Sequence, residues 1–90
     1  MAVALIFNGP GVTKAQYEQV LNEVNPDGKF APGMLSHVAG PTADGWAVCE
    51  VWESQEAVDK FFQETLGAAL QKANINIQPV VFPVENMMQV

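Results

Sequence analysis

The chain opens on an unbroken apolar run, AVALIF over residues 2–7, halted by Asn8-Gly9-Pro10-Gly11. A short run stopped by turn residues predicts a buried strand. TKAQ, residues 13–16, has capping-box spacing, and Tyr17, Val20, Leu21 and Val24 then recur at helical intervals as one stripe. Asn25-Pro26-Asp27-Gly28 ends that helix with turn chemistry. A strand is expected near residues 33–39 in PGMLSHVAG, followed by a loop rich in Gly, Pro, Thr and Asp. GWAVCEVWE, residues 45–53, returns as its hairpin partner. Ser54 caps a second helix with Glu56 in its first turn, where the helix dipole favours an anion. Ala57, Val58, Phe61, Phe62, Leu66, Ala69, Leu70 and Ala73 give that helix a broad apolar stripe. Gly67 costs about 1 kcal/mol there relative to alanine, so the helix end either frays or sits close to a neighbour. PVVFPVENMMQV, residues 79–90, supplies a last strand, at an edge or bulged, because Pro79 and Pro83 cannot donate to a ladder.

The resulting order, β-α-β-β-α-β, is the split βαβ arrangement of a ferredoxin-like α+β protomer. It gives a four-stranded antiparallel sheet with both helices on one face. Strand residues such as Leu5, Phe7, Val48 and Trp52 read as apolar on both parities, so the face without helices needs cover. Two copies packed sheet against sheet supply it and close a dimeric α+β barrel. Of the 90 residues, 49% are hydrophobic, ample for one domain over residues 1–90 and more than one thin layer hides. A homodimer is therefore the expected state.

Charge removes several partner classes. Ten acidic residues face four basic ones, all lysine, for a net charge of -6. That balance repels phosphate backbones and leaves no arginine for guanine edges, which argues against nucleic acid and against anionic membrane surfaces. A single cysteine, Cys49, precludes an internal disulfide and suits a reducing compartment. MAVALIF is short and lacks a basic flank, no stretch approaches bilayer-spanning length, and a cytoplasmic location is expected. No internal repeat is present.

Candidate chemistry centres on GWAVCEVWES. Alternation puts Trp46, Val48, Glu50 and Trp52 on one side of the strand and Ala47, Cys49, Val51 and Glu53 on the other. Glu50 between two tryptophans is either a solvated or interface carboxylate, or the polar point of an apolar pocket, where desolvation favours its neutral acid. His37 is the sole histidine, mid-strand in MLSHVAG; histidines titrate near neutrality and serve as general bases. A hydrogen bond from His37 to Glu50 on the neighbouring strand is geometrically accessible, although a backbone carbonyl or loop carboxylate would also satisfy a strand histidine. Trp46 and Trp52 offer flat apolar surface to an aromatic ligand or simply fill the core. Tyr17 lies on the first helix stripe, where it either packs in the core or reaches a cavity with its hydroxyl. Phe62 suits an apolar lining. Cys49, of opposite parity to Glu50, is expected beneath the helices as an inert thiol. One histidine and one cysteine on different strands make no conventional zinc site, and Asn8-Gly9-Pro10-Gly11 lacks nucleotide-loop spacing. No cofactor is expected.

The element order, with PGMLSHVAG on the second strand and VWESQEAVDKFF crossing from third strand to second helix, resembles the dimeric α+β barrel superfamily. The nearest branch is that of the antibiotic-biosynthesis monooxygenases. The resemblance spans nearly the whole chain. It implies small homodimers with a cavity between sheet and helices, and activities that include cofactor-free oxygenation of polycyclic phenols, haem degradation and polyketide cyclisation. Trp52 matches a family tryptophan that lines the cavity, and Asn8 lies where the haem-degrading branch has a pocket asparagine. That branch carries its iron-binding histidine where this chain has Phe62, and the arginine of some oxygenases has no counterpart. Haem degradation is not the expected activity. The expected reading is an enzyme acting on an aromatic or polyketide-like molecule. In it His37 moves the proton, Glu50 or Asn8 orients it, and Tyr17, Trp52 and Phe62 contact substrate. A non-catalytic dimer that binds small molecules or another partner is the alternative.

Overall fold

The computed structural model describes residues 1–29 and 31–88. Strand β1 (Val3–Pro10) leads into helix α1 (Lys14–Val24), followed by the hairpin β2 (Met34–Pro41) and β3 (Gly45–Trp52). A helical rod comes next: α2 (Gln55–Phe61), one π-helical stretch (Phe62–Leu66) and α3 (Gly67–Lys72), before strand β4 (Val80–Pro83). The four strands form one antiparallel sheet in the order β2-β3-β1-β4. This is the β-α-β-β-α-β arrangement that the sequence pattern predicts.

Local chemistry fixes the element ends. Thr13 Oγ1 accepts from the Gln16 amide at 3.1 Å while the Thr13 amide donates to Gln16 Oε1 at 2.9 Å, a complete capping box. Ser54 Oγ accepts from the Ala57 amide at 3.1 Å and starts α2. The last strand is shorter than expected. Val80–Pro83 pair with β1, then the Val84 amide donates to the Ala2 carbonyl at 2.9 Å and pairing stops. Gln89 and Val90, at the end of the expected strand, lie outside the described residues. Gly67 neither frays nor breaks the rod. Its amide donates to the Phe62 carbonyl five residues back, the wide turn of a π-helix. A Cβ there would stand 3.0 Å from that same carbonyl oxygen.

Two apolar clusters separate sheet from helices. Val12, Val20, Ala69, Ala73 and Ile75 pack where α1 crosses α3, and the Gln16 side chain secures the crossing by donating to the Ala73 carbonyl at 3.0 Å. Val3, Leu5, Trp52 and Val58 pack between the sheet and α2, with Phe61 tilted against Trp52 at 5.1 Å between ring centroids. Gly45 is required where β3 meets the end of β1, since a Cβ would collide with the Gly9 carbonyl.

Register decides which residues share a face. Val3 faces Trp52, Leu5 faces Glu50 and Phe7 faces Val48, all on the helix side. The four residues taken as apolar on both parities, Leu5, Phe7, Val48 and Trp52, thus lie on one covered face. The open face is apolar through other residues: Ile6, Val38, Val80 and Phe82, all exposed. Cys49, expected under the helices, is exposed on that open face opposite Ile6 and Val38. Trp52 and Glu50 hold the covered parity of β3, and Cys49 is left with the other. Strand β2 contains a bulge: Met34 pairs with Trp52 but Ser36 pairs with Val51, so Leu35 is an extra residue. Simple alternation from Met34 would send Ser36 and Val38 inward. The bulge sends His37 and Ala39 inward instead, opposite Glu50 and Val48.

Candidate functional site

Between the two clusters lies a cavity of about 290 Å³. Its floor is Leu5, Phe7, Val48, Glu50 and His37 from the sheet; its roof is Tyr17, Val20 and Leu21 from α1 and Phe61, Phe62 and Leu66 from the helical rod. The lining is mostly apolar, and the volume sits at the small end of the ~300–1,000 Å³ usual for small-molecule sites.

Four side chains form one hydrogen-bonded chain, three of them on the cavity wall and Trp52 behind it. Trp52 Nε1 donates to Glu50 Oε1 at 3.0 Å. His37 Nδ1 lies 2.6 Å from Glu50 Oε2, and His37 Nε2 lies 2.7 Å from Tyr17 Oη. Glu50 is 7% exposed and Trp52 is fully buried. An ionised carboxylate only accepts and an indole N–H only donates. With Glu50 ionised and the His37 ring neutral, Nδ1–H donates to Glu50 and Nε2 is left to accept from the Tyr17 hydroxyl. Burial, and secondarily the Glu50 charge, push the Tyr17 hydroxyl above its ordinary value of 10.0. Both causes penalise the phenolate, so Tyr17 holds its proton as a phenol. Its ring lies 5.2 Å from that of Trp46 and 6.1 Å from that of His37.

The structure gathers Tyr17, His37, Glu50 and Phe62 at this cavity. Two other expected ligand contacts stand outside its lining. Asn8 is exposed, because its parity on β1 pairs it with Ala47 on the open face. Trp52 is sealed between Val3, Val58 and Phe61, and its polar edge is turned to Glu50 rather than to the void. Sequence reasoning missed Asn25 and Lys29, which line the cavity from the loop after α1. Turn chemistry was the only signal they carried. Asn25 Oδ1 and Trp46 Nε1 are buried without a hydrogen-bond partner among the described residues. Among the described residues, no three His, Cys, Asp or Glu side chains converge to hold a metal ion, and no helix is long and apolar enough to cross a membrane.

No protein-family model matches this chain, and no curated protein does. Solved structures do. Rv0793 from Mycobacterium tuberculosis superposes with a TM-score of 0.75 at 14% identity, covering 99% of this chain and 100% of that one. A Chloroflexus aurantiacus protein of the antibiotic-biosynthesis-monooxygenase type gives 0.65 at 19% identity, with 98% of each chain covered. A mutant form of SnoaB, a cofactor-independent oxygenase from Streptomyces nogalater, gives 0.66 at 12% identity, covering 97% of this chain and 94% of that one. At these identities the likeness is one of fold. The chain has the α+β fold of the antibiotic-biosynthesis-monooxygenase-like proteins along nearly its whole length.

Proposed function

We propose that the cavity binds a compact aromatic or polyketide-like molecule and that Tyr17, His37 and Glu50 remove a proton from it, as a cofactor-free monooxygenase requires. The observation that carries this reading is the hydrogen-bonded chain from buried Glu50 through His37 to a phenol on the cavity wall. SnoaB, with the same fold, is a cofactor-independent oxygenase, which agrees with it.

The chain defines the ligand's reacting group. Tyr17 gives its proton to His37, so its oxygen is left to accept, and the ligand group beside it is a donor: a phenolic hydroxyl or an acidic ring C–H. As that proton moves to Tyr17 Oη, the phenol proton passes to His37 Nε2, and Glu50 faces the resulting imidazolium. No phenolate accumulates. For a ring CH2 beside a carbonyl, the carbanion then gives one electron to O2, the two radicals pair, and a C–O bond forms. The peroxide takes the proton back from the relay. Loss of the second C–H proton to the relay closes the new C=O, breaks the O–O bond and releases hydroxide, which leaves as water. CH2 and O2 become C=O and H2O, with every electron supplied by the ligand.

Within this reading the working unit is a homodimer, in which the apolar open face of the sheet is covered by a second copy. Oxygen uptake with anthrone as substrate tests the chemistry, and anthrone quenching of Trp46 fluorescence tests occupancy. Uptake that falls roughly 10²–10⁴-fold in His37→Ala, the usual share of a general base, supports the enzyme. Quenching without oxygen uptake in the wild type assigns the cavity to binding alone.

A further inference from the structure

The hydrogen-bonded chain has one end that can adapt and one that cannot. Tyr17 is a phenol whose O–H rotates to donate or accept as required. Trp52 is the reverse case: its indole nitrogen only donates, its side chain is fully buried, and Glu50 Oε1 at 3.0 Å is its acceptor. An indole N–H facing another donor in such a place loses its partner with no water to replace it.

We propose that Trp52 is a positioning residue that fixes the orientation of the residue-50 side chain, and with it the polarity of the chain wherever the two ends of that side chain differ. By holding Glu50 Oε1, it presents Oε2 to His37 Nδ1, and the imidazole therefore keeps Nε2 for the phenol. This assignment differs from a stacking contact with the ligand, which the position of Trp52 outside the cavity lining does not provide. In the wild-type carboxylate the two oxygens are chemically equivalent, so the effect of Trp52 is one of orientation. Glu50→Gln makes the two ends different and exposes that control. With Trp52 in place, the glutamine carbonyl must occupy the Oε1 position and its NH2 must face His37. Nδ1 then has to accept, the ring proton moves to Nε2, and the chain reverses, with His37 donating to Tyr17 Oη. Removing the indole N–H frees the glutamine to turn over, present its carbonyl to His37 and restore the Nδ1–H form.

The inference deepens the proton-transfer reading but is tested without turnover. His37 is the only histidine, so its ring nitrogens give an unambiguous long-range 1H–15N spectrum in the ligand-free protein, recorded at a pH where the ring is neutral. The wild type is expected to show the Nδ1–H tautomer, Glu50→Gln the Nε2–H tautomer, and Glu50→Gln combined with Trp52→Phe the Nδ1–H tautomer again. Backbone amide dispersion confirms the fold of each. A Glu50→Gln protein that keeps Nδ1–H, or a folded double variant that stays Nε2–H, overturns the role of Trp52. Should the double variant not fold, a Glu50→Gln protein that keeps Nδ1–H still overturns the role. Failure of anthrone oxidation alongside the expected tautomers overturns the catalytic reading and leaves the positioning role standing.

Discussion

The two faces of this sheet are built from alternate residues of the same strands, yet they differ in kind. On the covered face Val3, Leu5 and Trp52 are at most 5% exposed, and the one buried carboxylate is answered by two N–H groups. One position along, Ile6, Val38, Val80 and Phe82 are 42–68% exposed and carry no polar network. Burial with a partner is what makes an ionised side chain tolerable inside, so polar chemistry collects where the helices give it surroundings. The open face is mainly apolar surface, with Asn8 and Cys49 among its exposed residues.

Neighbouring substitutions on opposite faces separate the two roles. The largest contrast is His37→Ala against Val38→Ala. The first is expected to lower anthrone-dependent oxygen uptake by roughly 10²–10⁴-fold, while the second leaves subunit stability within about 0.5 kcal/mol, as exposed positions do. Denaturation of Trp52→Ala comes next, with an expected loss of about 3–5 kcal/mol for emptying a fully buried indole site. Val38→Lys on the open face is expected to weaken self-association at least about tenfold, or 1.4 kcal/mol, seen by light scattering after size exclusion. A Val38→Lys protein whose mass and dilution behaviour match the wild type would show that this face is not the dimer contact. The smallest effect belongs to Tyr17. Its folded-state value is raised, so the fold favours the phenol. That contribution is complete below the ordinary value of 10.0 and is lost as pH rises through the folded value. Denaturant titrations at about pH 9 and about pH 11 should show an alkaline loss that is reduced in Tyr17→Phe.

Much of this arrangement was legible in the residues. Capping signals at Thr13 and Ser54 and turn residues after α1 each mark an element end that the structure keeps, and the prolines of β4 mark it as the edge strand it is. The pairing of His37 with Glu50 was one of the alternatives that a hairpin left open, and the bulge at Leu35 decided it. The rest depended on facts that alternation does not contain. Period-two patterning groups Glu50 with Trp52 and Cys49 with Val51, but it does not say which group meets the helices. Cys49 was for that reason put on the wrong side. Asn8 follows the same logic on β1. Trp52 was separated from the cavity by the approach of Phe61 on α2, a packing detail with no local signature. The Tyr17 contact depends on how α1 crosses β2, and the extra residue at Leu35 carries no turn chemistry to announce it.

That extra residue gives β2 some slack. Upstream of Leu35, Met34 still pairs with Trp52, and before it lies the loop that lends Asn25, Lys29 and Ala31 to the cavity; downstream, the ladder with β3 sets His37 against Glu50. The loop end and His37 are thus separated by one unpaired position. A rim lengthened or trimmed by a single residue can therefore remodel what enters, while His37 keeps its place opposite Glu50.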